Sequence, residues 1–326
     1  MPHHDPQLLL ELLGPDAILC RRALTGESGV ALPPLHDHHV HLHLIDERQL
    51  APHGIAAAVD LGGDPVALAR RPSDGFPRIS YAGAFLTAAG GYPVGRPWAP
   101  DEITHEVTNA STHPGVPGGA ATAVDEQAEC GASVIKVALN RDAGPIFDLE
   151  TLSAIVSSAH ARAMPVVAHV QGEGMMRLAL DTQVDALAHA PFSEWLDGAS
   201  IARAHATGQL WISTLSMHDG ADAERAVINL ATFAATGGRV LYGTDLGNGQ
   251  RPGGIQIDEL RSLDAAGVRG AALIATLTDP WPLAEPPHGV STFVQGAAPA
   301  DLDAVPAWLA GATVVPTEEL IHDDHA

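Results

Sequence analysis

Eight short apolar runs, separated by helix-length stretches, pace this chain from Leu35 to about Leu277. After LHDHHVHL come Ile55–Leu61, Arg78–Leu86, Val134–Leu139, Pro165–His169, Val184–His189, Leu210–Thr214 and Val240–Asp245. Apolar runs without polar alternation suit strands buried on both faces, as in a parallel sheet covered by helices. The intervening patterns supply such helices. Leu149, Leu152, Ile155, Val156 and Ala159 follow an N-cap at Asp148, and the segment IQIDELRSLDAAGVRGAALIATLT predicts two helices broken at Gly267. Eight strands is the count of an α/β (β/α)8 TIM-like barrel, which commonly fills ~250 residues as one unit. The 326 residues are 46% hydrophobic and only 4% aromatic, so the core is expected to be built from small aliphatic side chains.

Six residues of metal-binding type stand at or near the ends of these runs: His39, His41, Lys136, His169, His189 and Asp245. Parallel strands deliver their terminal side chains to one common mouth. Residues two apart on a strand point the same way, so His39 and His41 can reach one ion while Val40 enters the apolar layer. Neutral imidazole suits Zn, Fe, Ni or Mn. A lone His-x-His pair is as easily a hydrogen-bonded core pair; four further partners in register favour ligation. Lys136 leaves two readings open. An ordinary ammonium would be expelled from an apolar strand unless it snorkels to the strand end and pairs with an acid. Reaction with CO2 instead converts the amine to a carbamate, a carboxylate-like group able to bridge two cations.

This arrangement resembles the amidohydrolase superfamily, whose pattern is His-x-His on the first barrel strand, Lys on the fourth, His on the fifth and sixth, and Asp on the eighth. The first motif stands here as Asp37-His38-His39-Val40-His41, with His38 and His43 off the register. GIAAAVDLGG (54–63), GAFLTAAGGYP (83–93) and WISTLSM (211–217) are similar to the family's second, third and seventh strands, and the likeness spans about residues 33 to 280. GASVIKVAL, VVAHVQG, ALAHAPF and LYGTDLG place it nearest the binuclear, carboxylated-lysine branch, prolidase- or imidazolonepropionase-like. The resemblance implies two divalent metal ions, zinc the first expectation. A Lys136 carboxylated by CO2 would lie between one ion held by His39, His41 and Asp245 and another held by His169 and His189. It implies hydrolysis of a C–N bond in an amide, dipeptide-like or cyclic amide substrate by a metal-bridging hydroxide, with Asp245 as proton shuttle. A lactonase or phosphotriesterase-like hydrolase shares the six ligand types, and a mononuclear deaminase would not need Lys136. A non-enzymatic scaffold would have lost a ligand, and none is missing.

Two departures fall at pocket positions: Gly90-Gly91-Tyr92 replaces the family's frequent Gly-Gly-His, and Ala168-His169-Val170-Gln171-Gly172 replaces Ala-His-Ala-His-Gly. Substrate-binding candidates at strand ends or just beyond are Tyr92, Asn140, Arg141, Gln171, Trp195, His218 and Asn248. Arg141 has the planar fork that suits a substrate carboxylate. The Gly- and Pro-rich stretch from Ala88 to Gly119, with His105 and His113, breaks the strand–helix rhythm and is expected to be a loop over the pocket.

The net charge of −22 argues against nucleic-acid and anionic membrane partners and leaves a small-molecule substrate. Homo-oligomerisation stays open. Cys20 and Cys130 form no spaced motif, so reduced thiols and a cytoplasmic location are expected. The opening residues lack a positive region followed by a long apolar core, and no apolar stretch reaches ~18 residues, so neither a leader nor a membrane span is expected. The division is residues 1–33 as the N-terminal part of a reduced β appendage, 34–283 as the barrel, and 284–326 as the rest of the appendage and a flexible tail. His3-His4-Asp5 and the histidine-containing tail are expected to be solvated termini rather than metal sites.

Overall fold

The structure, a computed structural model, describes residues 6–72 and 74–322. The His3-His4-Asp5 opening and Asp323–Ala326 of the tail lie outside them. The strands fall into three groups. β1 (Ile18–Arg22) and β2 (Ser28–Leu32) come first. Ten parallel strands follow: β3 (Leu35–Val40), β4 (Ile55–Asp60), β5 (Arg78–Tyr81), β6 (Phe85–Thr87), β7 (Thr104–Glu106), β8 (Ile135–Asn140), β9 (Val166–Gln171), β10 (Ala186–Leu187), β11 (Leu210–Ile212) and β12 (Arg239–Leu241). β13 (Val290–Gln295), β14 (Ala312–Pro316) and β15 (Leu320–His322) close the chain.

The parallel strands form a three-stranded sheet, β3-β4-β5, and a seven-stranded sheet, β12-β11-β10-β9-β8-β6-β7. Both are apolar on their two faces, which is why the runs carry no alternation. One face packs Val59, Val134, Val167, Leu210, Ile212 and Leu241 against each other. The other meets the helices through residues such as Leu152, Ile155, Leu230, Phe233, Leu260 and Leu273. Backbone hydrogen bonds join the first edge of the smaller sheet to the end of the larger one. His38 N–H donates to Tyr242 O at 3.0 Å, Asp245 N–H to His39 O at 2.8 Å and His41 N–H to Leu246 O at 2.8 Å, so β3 pairs with the segment that follows β12. At the other edge, the single strand expected over 78–86 is divided into β5 and β6. Gly83 turns there with φ +74°, where a Cβ would fall 2.3 Å from the Gln127 side-chain oxygen that accepts the Ala84 N–H.

The helices stand where the periodicity predicts them. Asp148 caps Leu149–Ala161 by accepting the Thr151 N–H at 2.7 Å, and Ile257–Ala265 and Ala271–Thr278 are separated at Gly267, φ +84°. Two features differ from expectation. The stretch 88–119 contains β7, paired in parallel with β6, so part of it extends the sheet. β10, β11 and β12 end earlier than the apolar runs do. The chain leaves the ladder before His189, Thr214 and Asp245, and Thr214 and Asp245 take left-handed φ values of 42° and 52°.

Strands from both ends of the chain make an antiparallel sheet of order β14-β13-β2-β1-β15 around Cys20, Ala31, Phe293 and Val315. Thr292 of β13 accepts the Leu35 N–H at 3.1 Å and ties this sheet to the start of β3. Among the described residues no helix is long and apolar enough to cross a membrane.

Candidate metal centre

β3 and the turn after β12 bring His39, His41 and Asp245 to one buried point, with donor atoms within 4.8 Å of one another. Backbone carbonyls set the imidazoles. His39 Nδ1 donates to Ala188 O at 2.8 Å and His41 Nδ1 to Gly62 O at 3.2 Å; a carbonyl only accepts, so each ring keeps its Nε2 as a lone-pair donor. Those nitrogens face Asp245 Oδ1 at 3.3 and 3.2 Å, and His39 Nε2 is buried without a hydrogen-bond partner. Lone pairs facing a carboxylate in an apolar surround require a cation between them, a proton or a metal ion. Two imidazoles and a carboxylate fit a divalent transition metal. The electrostatics agree. Burial holds His39 well below its ordinary value, whereas for His41 burial is outweighed by the Asp245 carboxylate, which raises it. Asp245 in turn stays below the usual carboxylate range, because the neighbouring imidazoles outweigh its burial.

The support around Asp245 uses residues that the spacing of the six ligand types does not single out. Asp37 is fully buried and accepts the Thr244 hydroxyl at 2.5 Å, the Thr244 N–H at 3.1 Å and the His39 N–H at 3.1 Å. It thereby locks the start of the histidine motif to the turn that carries Asp245. Burial raises Asp37 to about 7 despite these bonds. Arg251 donates to Thr244 O at 2.6 Å and Asp245 O at 3.1 Å, and Asn248 Nδ2 donates to Asp245 Oδ2 at 3.2 Å. Glu259 accepts the Leu215 and Ser216 N–H groups at 2.9 and 2.7 Å and shapes the loop after β11. The sequence signal was acidic residues inside apolar runs, Asp37 above all.

The second half of the cluster follows directly: ring centroids lie 4.8 Å apart for His39 and His189 and 5.0 Å for His189 and His169. His189 Nδ1 is hydrogen-bonded to Thr214 Oγ1 at 2.9 Å, while His169 Nε2 lies 3.3 Å from both Asn140 Nδ2 and Gln171 Oε1. Burial holds His189 well below its ordinary value; it takes His169 to about 3, with the charge of Lys136 acting in the same direction. Lys136 is buried in β8, and burial pushes its amine down to about 7 against the pull of Asp245 and Asp60. It is also the chain's only lysine, beside 16 arginines. A chain that otherwise uses guanidinium as its cation keeps an amine at this one buried position.

The substrate-binding candidates divide. Tyr92 stacks on His169 at 5.1 Å, Asn140 donates to Gln171 Oε1 at 2.8 Å beside the same ring, and His218 stacks on Phe192 at 4.0 Å, 6.3 Å from His189. Burial takes His218 to about 4 and Tyr92 to about 12. Arg141 is exposed and donates from one Nη to Glu173 O at 3.1 Å. Trp195 is 58% exposed and outside the ring cluster, and Asn248 serves Asp245. His38 is a core histidine, its nitrogens 2.8 Å from Tyr242 O and 3.0 Å from Asp279 O. In the 88–119 stretch Trp98, rather than His105 or His113, reaches the cluster, 6.2 Å from His41.

No protein-family profile and no curated protein matches the chain. Solved structures do. A Xaa-Pro dipeptidase with bound methionine superposes with a TM-score of 0.68 over 90% of this chain and 86% of its own, at 17% identity. Ochratoxinase from A. niger gives 0.68 over 87% and 81% at 20% identity, and molinate hydrolase gives 0.64 over 89% and 83% at 15%. The chain therefore has the mixed α/β fold that these hydrolases share.

Proposed function

We propose that this protein is a metal-dependent hydrolase of the amidohydrolase superfamily that cleaves a C–N bond in an amide, dipeptide-like or cyclic amide. The observation that carries the proposal is the set of imidazole nitrogens and one carboxylate aimed at a single buried point, with the only lysine of the chain beside them. The parallel strands are read as an eight-stranded barrel over residues 34–283, with residues 1–33 and 284–326 as its appendage; the hydrogen bonds from β3 to the turn after β12 support closure. Cys20 and Cys130 are not joined in a disulfide, which suits a reducing compartment that we take to be the cytoplasm.

His39, His41 and Asp245 would hold one ion, and His169 and His189 a second, with carboxylated Lys136 shared between them. Zinc is the first expectation, since imidazole and carboxylate are its usual ligands. When bound, such a pair supplies an activated water and an electrophile for the scissile carbonyl. Asp245, ionised and held by Asn248, accepts the proton of the attacking water and returns it to the leaving nitrogen. The lysine nitrogen, held by burial at about 7 so that a large share is neutral near that pH, attacks CO2 and releases one proton to give the carbamate. Asn140, Gln171, Tyr92 and His218 border the reacting centre and are assigned to the substrate.

Because there is one lysine, the test is direct. Protein equilibrated with 13C-bicarbonate should show one carbamate resonance, absent in Lys136→Ala, and elemental analysis should find close to two ions per chain. One ion with full activity and an unmodified lysine would point to a mononuclear deaminase, recognisable by ammonia released without a second organic fragment. Turnover of a lactone or phosphotriester at kcat/KM ~10⁴ M⁻¹s⁻¹ or better, with every amide at background, would defeat the C–N assignment.

A further inference from the structure

Aromatic side chains are scarce in this chain, and a group of them lines the candidate ligands. Of its 6 Phe, 5 Trp and 3 Tyr, four rings pack on the cluster. Phe85 and Trp98 lie 5.7 and 6.2 Å from the His41 ring, Tyr92 lies 5.1 Å from His169, and Phe192 lies 6.2 Å from His189. Trp98 also touches Phe85 and Tyr92, at 6.1 and 6.0 Å, so these rings form a continuous wall. Space-filling alone does not require them, since the rest of the core is packed largely with Ala, Val, Leu and Ile. Tyr92 and Trp98 are only half-buried, and with Tyr92 already against His169 and Arg96, Trp98 is the ring on which a further ring would stack.

Receptors for a carboxylate are correspondingly few. Arg141 is bound to Glu173 O, and Arg251 to the carbonyls of Thr244 and Asp245. Arg96 lies over the Tyr92 ring at 5.8 Å and reaches Ala143 O at 3.5 Å. Net charge −22 further disfavours an anionic substrate.

Resting on the hydrolase reading above, we infer that the preferred substrate is an uncharged amide carrying an aromatic ring, rather than an N-acyl amino acid or dipeptide with a free carboxylate. The ring stacks on the Tyr92–Trp98 wall, which positions the amide over the histidine cluster.

Three matched amides test it on the metal-loaded full chain: N-acetylphenethylamine, N-acetylphenylalanine, which adds only the carboxylate, and N-acetylbutylamine, which lacks the ring. Expected is a kcat/KM for the first that exceeds each of the others by about tenfold or more, as a stacked ring of ordinary strength provides. Trp98→Ala should erase the margin over N-acetylbutylamine while Trp98→Phe keeps most of it, and Arg96→Ala should leave the ranking unchanged. A preference for N-acetylphenylalanine that disappears in Arg96→Ala would overturn the inference and leave the hydrolase assignment standing, as would equal rates on all three. Should none of them turn over, calorimetric binding decides. Preferential binding of N-acetylphenethylamine retains the ring site and discards amide hydrolysis; absence of that preference discards both.

Discussion

The two halves of the histidine cluster are built from similar parts and are not equally complete. His39 and His41 meet a carboxylate, Asp245, at 3.3 and 3.2 Å, and their tautomers are set by the backbone carbonyls of Ala188 and Gly62. Among the described residues no carboxylate pairs with His169 or His189; the polar groups at their nitrogens are Asn140, Gln171 and Thr214. The difference gives the proposed modification of Lys136 its purpose. A centre with an anionic ligand on one side only would hold one ion firmly and the other poorly. On the function proposed above, a carbamate on Lys136 would supply the missing anion.

The severest way to break this comparison is Lys136→Ala. We expect metal content to fall from near two toward one per chain, the retained ion staying with His39, His41 and Asp245, and the rate to drop by about 10³-fold or more because nucleophile and electrophile both depend on the pair. Elemental analysis and steady-state rates measure both, and added acetate or propionate should restore part of each. Unchanged metal and rate would remove the bridging role.

Asp245→Asn attacks the other half. An amide coordinates weakly and cannot carry a proton, so part of the metal should stay while kcat falls by about 10²-fold. A variant with full metal and an undiminished rate would take the shuttle away from this residue.

A pH measurement on metal-free, CO2-free protein probes the lysine without catalysis. Burial lowers Lys136 to about 7 in the folded chain, against about 10.4 unfolded. Between those values the unfolded state binds the extra proton, so stability rises with pH, by at most about 1.36 kcal/mol per unit, and the contribution is flat below pH 7. Denaturant midpoints for wild type and Lys136→Met should diverge in slope over that window. Parallel curves would mean that the folded amine stays charged.

The mildest expected effect is that of Thr214→Ala. It frees His189 Nδ1, now held at 2.9 Å, and should weaken binding of the second ion about tenfold while sparing the first. Stepwise chelator titration separates the two ions, and equal weakening of both would contradict the division.

Much of the architecture was legible because it depends on repetition. Runs buried on both faces read as parallel strands, and the Asp148 cap with the Gly267 break marked helix ends that need only local chemistry. The terminal turns of β10, β11 and β12 were not legible. Their apolar composition continues into residues whose backbone leaves the ladder, and the φ of 52° at Asp245 is imposed by neighbours distant in sequence. Nor did the spacing of polar residues distinguish Arg141, exposed and bonded to the Glu173 carbonyl, from Tyr92, stacked on His169. Both merely stand near strand ends.

By itself the sequence determined which side chains are available to a metal and in what order the strands deliver them, because strand periodicity and burial are local consequences of composition. It also held one fact of weight in plain view, a single lysine set within an apolar run. Tertiary structure decided the rest: that Ala188 and Gly62 carbonyls leave the Nε2 atoms of His39 and His41 bare, and that Asp37 ties the first motif to the turn bearing Asp245. It also brought Trp98, from a stretch that reads as loop, against His41. Each of these joins residues tens to hundreds of positions apart, and such pairings exist only once the strands have assembled into their sheets.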